Sequence, residues 1–247
     1  MNSISIIIPA KNEEKYIEPG LKMIAGSKKT LLSKYPDVKI ETILSNNNST
    51  DATSGVAEKF VDKIIYTGSP SIAGVRNAGA SAASGDILVF IDADSQMHEN
   101  ALLKIFELFR TTNIKSGCVK ILFDEKINFF LNLTVVVANI FFQITNSGGG
   151  MYFCLKKHFD EIGGFNEKIF AAEDLDFAKR IKELMKKKKY KFVNLSDIPI
   201  KTSARKVRFV KKIPALIKLI KYIVIPKKVL YNKSEWNDLF YKTEILR

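Results

Sequence analysis

Ile4-Ser5-Ile6-Ile7-Ile8-Pro9-Ala10-Lys11-Asn12-Glu13-Glu14 is an apolar run, interrupted by one serine, that stops at a proline and passes straight into a polar turn. A strand buried on both faces reads this way, because neither side of it meets water. The pattern recurs along the chain. Residues 40–44 lead into Asn46-Asn47-Asn48-Ser49-Thr50-Asp51, and 87–91 into Asp92-Ala93-Asp94. Residues 63–66, 118–122, 151–155 and 191–195 are further strand candidates. Stretches with helical spacing fall between them, at 13–32, 52–61, 72–83, 99–110 and 173–187. Short β-branched runs alternating with helices predict an α/β fold, a Rossmann-like and mostly parallel sheet flanked by helices.

A chain of 247 residues, 46% hydrophobic and 26% charged, can bury one large core or two small ones. Cys118 and Cys154 are its only cysteines and cannot form a disulfide framework or a CxxC metal site. Charge is unevenly placed. Residues 1–185 hold 21 basic and 22 acidic side chains, whereas 186–247 hold 18 and 4. The body is therefore not a nucleic-acid surface, and the basic excess belongs to an extension. Residues 1–200 are expected to form the domain, and 201–247 a basic, partly amphipathic helical tail. In 214–225, Lys218 and Lys221 sit among Leu216, Ile217, Leu219, Ile220 and Ile223, a pattern suited to lying in an anionic membrane interface. Residues 127–145 carry Asn128, Asn132, Asn139 and Gln143, too many polar groups for a membrane span. No secretory leader is read in residues 1–9, so the expected location is cytoplasmic and peripheral on the inner membrane face.

In open parallel sheets, ligands sit beyond the carboxyl ends of the strands. The turns after the first, second and fourth strands are thus the candidate site. No GxxxxGK[ST] and no GxGxxG occurs, which removes the main support for P-loop and dinucleotide readings. Asp92 and Asp94, two residues apart where an apolar strand stops, can both face one cleft. One or two carboxylates completed by substrate phosphates is how Mg²⁺ or Mn²⁺ is commonly held. Arg76 and Asn77 stand in a helix otherwise rich in Ala, Gly and Ser. That arginine is either a structural ion pair or a bidentate phosphate ligand. Glu173-Asp174-Leu175-Asp176 opens a helix, where acids satisfy the macrodipole or offer a general base at the cleft rim.

The ordered set Ser5–Glu14, Asn46–Asp51, Arg76-Asn77-Ala78-Gly79, Asp92-Ala93-Asp94, Gly163-Gly164-Phe165 and Glu173-Asp174 resembles family 2 glycosyltransferases of the GT-A fold, over residues 3–196. The resemblance implies a metal-dependent, inverting transfer of sugar from a nucleotide-diphosphate donor, a UDP- or GDP-sugar, to a glycan or lipid-linked acceptor. It implies donor contacts from Pro9, Ala10, Glu13, Asn46, Arg76, Asp92, Ala93 and Asp94. Asp94, with Asp92, would hold Mn²⁺ or Mg²⁺, and Asp174 would be the general base. Thr202-Ser203-Ala204-Arg205-Lys206 resembles a Ser-x-Arg-Arg segment of some members, which places Arg205 over the diphosphate.

Two positions depart from the family pattern. Asn46-Asn47-Asn48-Ser49 stands where Asp-Asp-Gly-Ser is usual, so Asn46 brings no charge to the base and can donate as well as accept. Lys11 stands where an aromatic often stacks on the base. These departures favour a rival reading, a catalytically silent member that binds nucleotide or a membrane partner, whereas Asp92, Asp94 and Asp174 speak for catalysis. A nucleotidyltransferase would show a glycine-rich loop after the first strand, and Pro9–Glu14 has no glycine. A nucleic-acid-binding tail would lose affinity steeply with salt.

Overall fold

The computed structural model describes residues 2–123, 150–169 and 173–203. Strands β1 (Ser3–Ala10), β2 (Lys39–Asn46), β3 (Lys63–Tyr66) and β4 (Ile87–Ile91) alternate with helices α1 (Ile17–Lys34), α2 (Thr53–Ala57) and α3 (Ile72–Ser81). Then come β5 (Ser95–Gln96), α4 (Ala101–Thr111), β6 (Ile114–Phe123), β7 (Met151–Leu155), α5 (Lys156–Glu161), α6 (Glu173–Lys187) and β8 (Lys191–Thr202). One sheet holds the eight strands in the order β3-β2-β1-β4-β7-β6-β8-β5. The four strands β3-β2-β1-β4 pair in parallel. β7 enters antiparallel between β4 and β6, β6 pairs β8 in parallel, and β5 runs against β8. The expected mostly parallel α/β sheet is present, with β7 and β5 as its two reversed strands.

Alternation along β1 feeds two separate cores. Ile4, Ile6 and Ile8 pack with α1 and α4 through Ile24, Leu31, Leu102, Ile105 and Phe106. Ile7 faces the other side, with Phe90 of β4, Ala73 and Ala80 of α3, and Phe177 and Ile181 of α6. Ser5, the polar break in the run, is buried but paired: it donates to Glu41 Oε1 and accepts the Gly85 N–H at 2.8 Å. Helix α3 lies close against β1 because Gly79 has no Cβ; one there would stand 2.5 Å from Ile7 Cγ2.

Several elements differ from the sequence reading: β5 is not in it, α2 ends at Ala57 rather than 61, and β6 begins at Ile114 rather than 118. The helix expected from residue 13 begins at Ile17; ahead of it the N–H groups of Asn12, Glu13 and Glu14 donate to Ser49, Thr53 and Asp51 in the turn. The strand expected to end at 195 runs on to Thr202. It bulges there: Leu195 pairs Val119 and Ile200 pairs Ile121, so Pro199 sits where the ladder is already broken. Helix α5 follows Leu155 without a loop, and its pattern was hidden by that junction. The 127–145 stretch and the extension from residue 204, Arg205 included, lie outside the described residues. Among the described residues no helix is long and apolar enough to cross a membrane.

Candidate active site

The carboxyl ends of β1, β2 and β4 meet at one edge of the sheet, as the parallel register requires. Ala10 pairs with Asn46, and Pro9 with Ser45. The two loops that follow are stapled together. Asn12 Oδ1 accepts the Thr50 N–H at 2.9 Å, Asp51 Oδ2 the Glu14 N–H at 3.1 Å, and Glu14 Oε2 the Ala52 N–H at 2.9 Å. Asn12 and Asn48 adopt left-handed backbone, with φ of 56° and 49°, which asparagine tolerates better than most residues. Pro9, Ala10 and Asn46 are buried here, Glu13 is half-buried, and Lys11 is exposed. Asn46 is engaged within the protein: its Oδ1 accepts the Ser49 N–H at 2.9 Å and its Nδ2 donates to Ser54 Oγ.

Beyond β4, Ala93 and Asp94 are buried and Asp92 is half-buried. The Asp92 N–H donates to Gly150 O at 3.1 Å, which ties this turn to the start of β7. Thr202, at the end of β8, brings its Oγ1 to 3.5 Å from Asp94 Oδ1 and accepts from Ser95 Oγ at 2.9 Å. Sequence reading assigned Thr202 to the tail; the bulged continuation of β8 delivers it to this turn.

Arg76 forms the ion pair of the first of its two readings. It is 5% exposed. Its Nη1 donates to Glu173 Oε1 at 2.6 Å and its Nη2 to Asp92 Oδ1 at 2.9 Å. Its guanidinium stands 5.2 Å above the Phe165 ring. Burial alone would favour the neutral form, but Asp92, Glu173 and Asp174 outweigh it and keep the side chain charged. The arginine thus bridges the turn after β4 to the first turn of α6. Of the two acids there, Glu173 takes the ion pair. Asp174 is half-buried, and its Oδ1 accepts the Leu175 N–H at 2.8 Å. Burial, then the neighbouring Glu173, push its pKa up to about 7, with Arg76 pulling against them. A carboxyl group titrating near neutral pH suits proton abstraction.

The small-residue motifs now have a physical role. Asn77, next to Arg76 on α3, clamps the turn that precedes α6. Its Nδ2 donates to Phe165 O at 2.9 Å, and its Oδ1 accepts the Phe165 N–H at 2.9 Å. Gly164 lies in that clamp with φ of 66°, and a Cβ on it would stand 2.7 Å from Asn77 Oδ1. Gly164→Ala is therefore expected to destabilise the protein by about 1–3 kcal/mol. Urea unfolding checks this, and an unchanged midpoint would count against the clamp.

The chemistry of Asp92 and Asp94 fits a divalent cation. Both are hard oxygen donors at a strand end. Among the described residues no group of three or more His, Cys, Asp or Glu side chains could hold one. A cation here would draw its remaining ligands from phosphate oxygens and water.

Comparison with known proteins places this geometry. The model of glycosyl transferase family 2 matches residues 5–165. Among curated proteins, a probable glycosyltransferase of Bacillus subtilis, YdaM, is 26% identical over 204 residues, 73% of this chain and 47% of its own. The chain thus spans about half the length of that relative. Among solved structures, Staphylococcus aureus TarS 1–349 in complex with UDP-GlcNAc superposes with a TM-score of 0.62 at 18% identity, over 81% of this chain and 58% of its own. The mannosyltransferase PcManGT of Pyrobaculum calidifontis, in complex with GDP-Man and Mn²⁺, has a TM-score of 0.60 at 18% identity, over 88% and 64%. At these identities the likeness to the structures is one of fold.

Proposed function

The chain belongs to glycosyl transferase family 2, and from that premise we propose that it moves a sugar from a nucleotide-diphosphate donor, a UDP- or GDP-sugar, to a glycan or lipid-linked acceptor, in one metal-dependent displacement with inversion. The observation that carries this reading is the double ion pair of Arg76. It holds the carboxylate-bearing end of β4 against the turn of α6 that carries Asp174. The two sides of a displacement reaction are thereby fixed relative to each other.

In this reading the donor lies across the strand ends, with Pro9, Ala10, Glu13 and Asn46 toward its base and ribose and Ala93 beneath it. Asn46 offers an uncharged amide, both ends of which already serve the turn, so the base is read without a carboxylate. Asp94 and Asp92 would hold Mn²⁺ or Mg²⁺, which supplies Lewis-acid stabilisation of the leaving diphosphate when bound. Asp174 accepts the proton of the acceptor hydroxyl as that oxygen attacks the anomeric carbon from the face opposite the diphosphate. The structural neighbours in complex with UDP-GlcNAc and with GDP-Man and Mn²⁺ support the donor class and the cation. The basic extension beyond β8 is assigned to an anionic membrane surface at the cytoplasmic face, with Arg205 toward the diphosphate, while the residues through Thr202 form the catalytic domain.

A thermal-shift panel of UDP, GDP, CDP and dTDP, each with and without Mn²⁺, tests the reading. One nucleotide is expected to raise the melting temperature in a manganese-dependent way, by the equivalent of about 2.7 kcal/mol at a concentration 100 times its Kd. In Asp94→Asn the manganese-dependent part of that rise should vanish while the unliganded melting temperature stays close to that of the parent. No shift with any nucleotide would overturn the proposal in favour of a catalytically silent member, the reading that the internal engagement of Asn46 favours.

A further inference from the structure

Tyr152, the second residue of β7, is 1% exposed, and its hydroxyl is buried without a hydrogen-bond partner among the described residues. Buried tyrosine hydroxyls ordinarily find a partner. Leaving one unmade destabilises the fold. A phenylalanine would fill the same space without that cost, so the hydroxyl calls for a reason.

Its surroundings point to one. Strand register sets Tyr152 between Phe90 of β4 and Cys118 of β6. Its ring meets Phe177 edge-on, with centroids 5.8 Å apart. Phe177 lies three residues beyond Asp174 on α6, and so on the same side of that helix. Phe177 stacks in turn on Phe165 at 4.3 Å, and Phe165 is the ring beneath the Arg76 guanidinium. An aromatic path thus runs from the phenol through Phe177 and Phe165 to Arg76, the cation that pairs Glu173. Burial, then Asp174, Cys118 and Glu173, raise its pKa well above the usual phenol range, with Arg76 opposing. The group therefore stays a proton donor across the neutral range, with Asp174 and Glu173 among the charges that act on it. Cys118 offers only a weakly accepting sulfur in exchange.

We infer that Tyr152 is a positioning residue for Asp174: its hydroxyl donates to one bridging water that in turn donates to the Asp174 carboxylate, and so orients that group toward the acceptor. The Leu175 N–H already takes Asp174 Oδ1 from the helix side. A second donor from the strand side fixes the plane of the carboxylate. The value of this for catalysis rests on the base assignment above, but the hydrogen bond itself does not.

Tyr152→Phe removes one oxygen and keeps the ring. A donor to a carboxylate favours its charged form, so losing it raises the pKa. In protein labelled with ¹³C at aspartate carboxyls, Asp174 is identified by the resonance missing in Asp174→Asn. Its midpoint is expected to lie about half a unit or more higher in Tyr152→Phe than in the parent, an effect of the size of one modest hydrogen bond. The melting temperature should be equal or higher, since no protein partner is lost. With a competent donor and acceptor, the acid limb of kcat should move up by the same amount at unchanged donor KM. An Asp174 midpoint unchanged by the substitution would overturn the inference, as would a melting temperature several degrees lower, which would show the hydroxyl serving the fold. Absence of turnover in the parent would instead count against the glycosyltransferase reading, while the carboxyl titration still decides the role of Tyr152.

Discussion

Replacing Asp174 by asparagine is expected to slow sugar transfer by about 10²–10⁴-fold, the usual worth of a general base, while donor affinity changes little. The amide keeps the shape of the side chain and the contact with the Leu175 N–H, but it cannot take a proton. In the parent, transfer should rise with pH through about 7, because Asp174 must be ionised to act and its pKa lies there. Stability should run the other way. The folded-state pKa of about 7 exceeds the usual 3.8, so between those values the folded protein holds a proton that the unfolded chain has released. Folding stability therefore falls as pH rises through that window. Asp174→Asn escapes the loss and should be more stable than the parent at pH 8, by a margin that shrinks toward pH 4. Urea unfolding at both pH values, beside initial rates, checks the pair of effects. A variant that loses donor affinity instead would place Asp174 on the donor side.

The second large effect concerns Arg76. Arg76→Met removes one cation from a pair of acids whose side chains are 11% and 25% exposed, Glu173 and Asp92. Breaking a buried ion pair from one side leaves a charge without compensation and costs about 3–5 kcal/mol. For a chain of this size that is a melting-temperature drop on the order of 10 °C. Arg76→Lys should recover little of it, because a single ammonium cannot reach two carboxylates with a planar fork. Transfer activity should fall with the methionine variant even below its melting temperature, since Asp174 loses the cation that draws its pKa down. A methionine variant as stable as the parent would show that the bridge contributes nothing to holding β4 and α6 together.

Much of this was legible from residue order. Strands 63–66, 87–91 and 151–155 and helix 173–187 stand where apolar runs and polar breaks put them. Asp92, Asp94 and Asp174 were legible as candidates because each sits at an element end, where chemistry has access. The partners of Arg76 were not. They lie 16 and 97 residues away, and nothing in the spacing says that one arginine serves both. Strand β8 runs past residue 195, where Ser196, Asp197 and Pro199 interrupt the apolar pattern. Only the bulge against β6 shows how such residues are accommodated, and with them Thr202 was missed. Tyr152 did leave a trace, a hydroxyl in the otherwise apolar strand Met151–Leu155, but the cluster it faces is a tertiary fact.

The placement of β7 bears on how the chain comes together during synthesis. Residues 3–91 emerge first and contain everything the parallel half needs except its far neighbour. Until Met151–Leu155 has been made, β4 is an edge whose five residues, all buried in the finished protein, have open backbone groups on one side. Such an apolar edge is a template for pairing with other chains. Arg76 waits through the same interval for Glu173. The antiparallel strand that caps this edge and the helix that brings Glu173 to Arg76 both come from the second half of the chain, so the edge stays open and the arginine half-paired until that half is made.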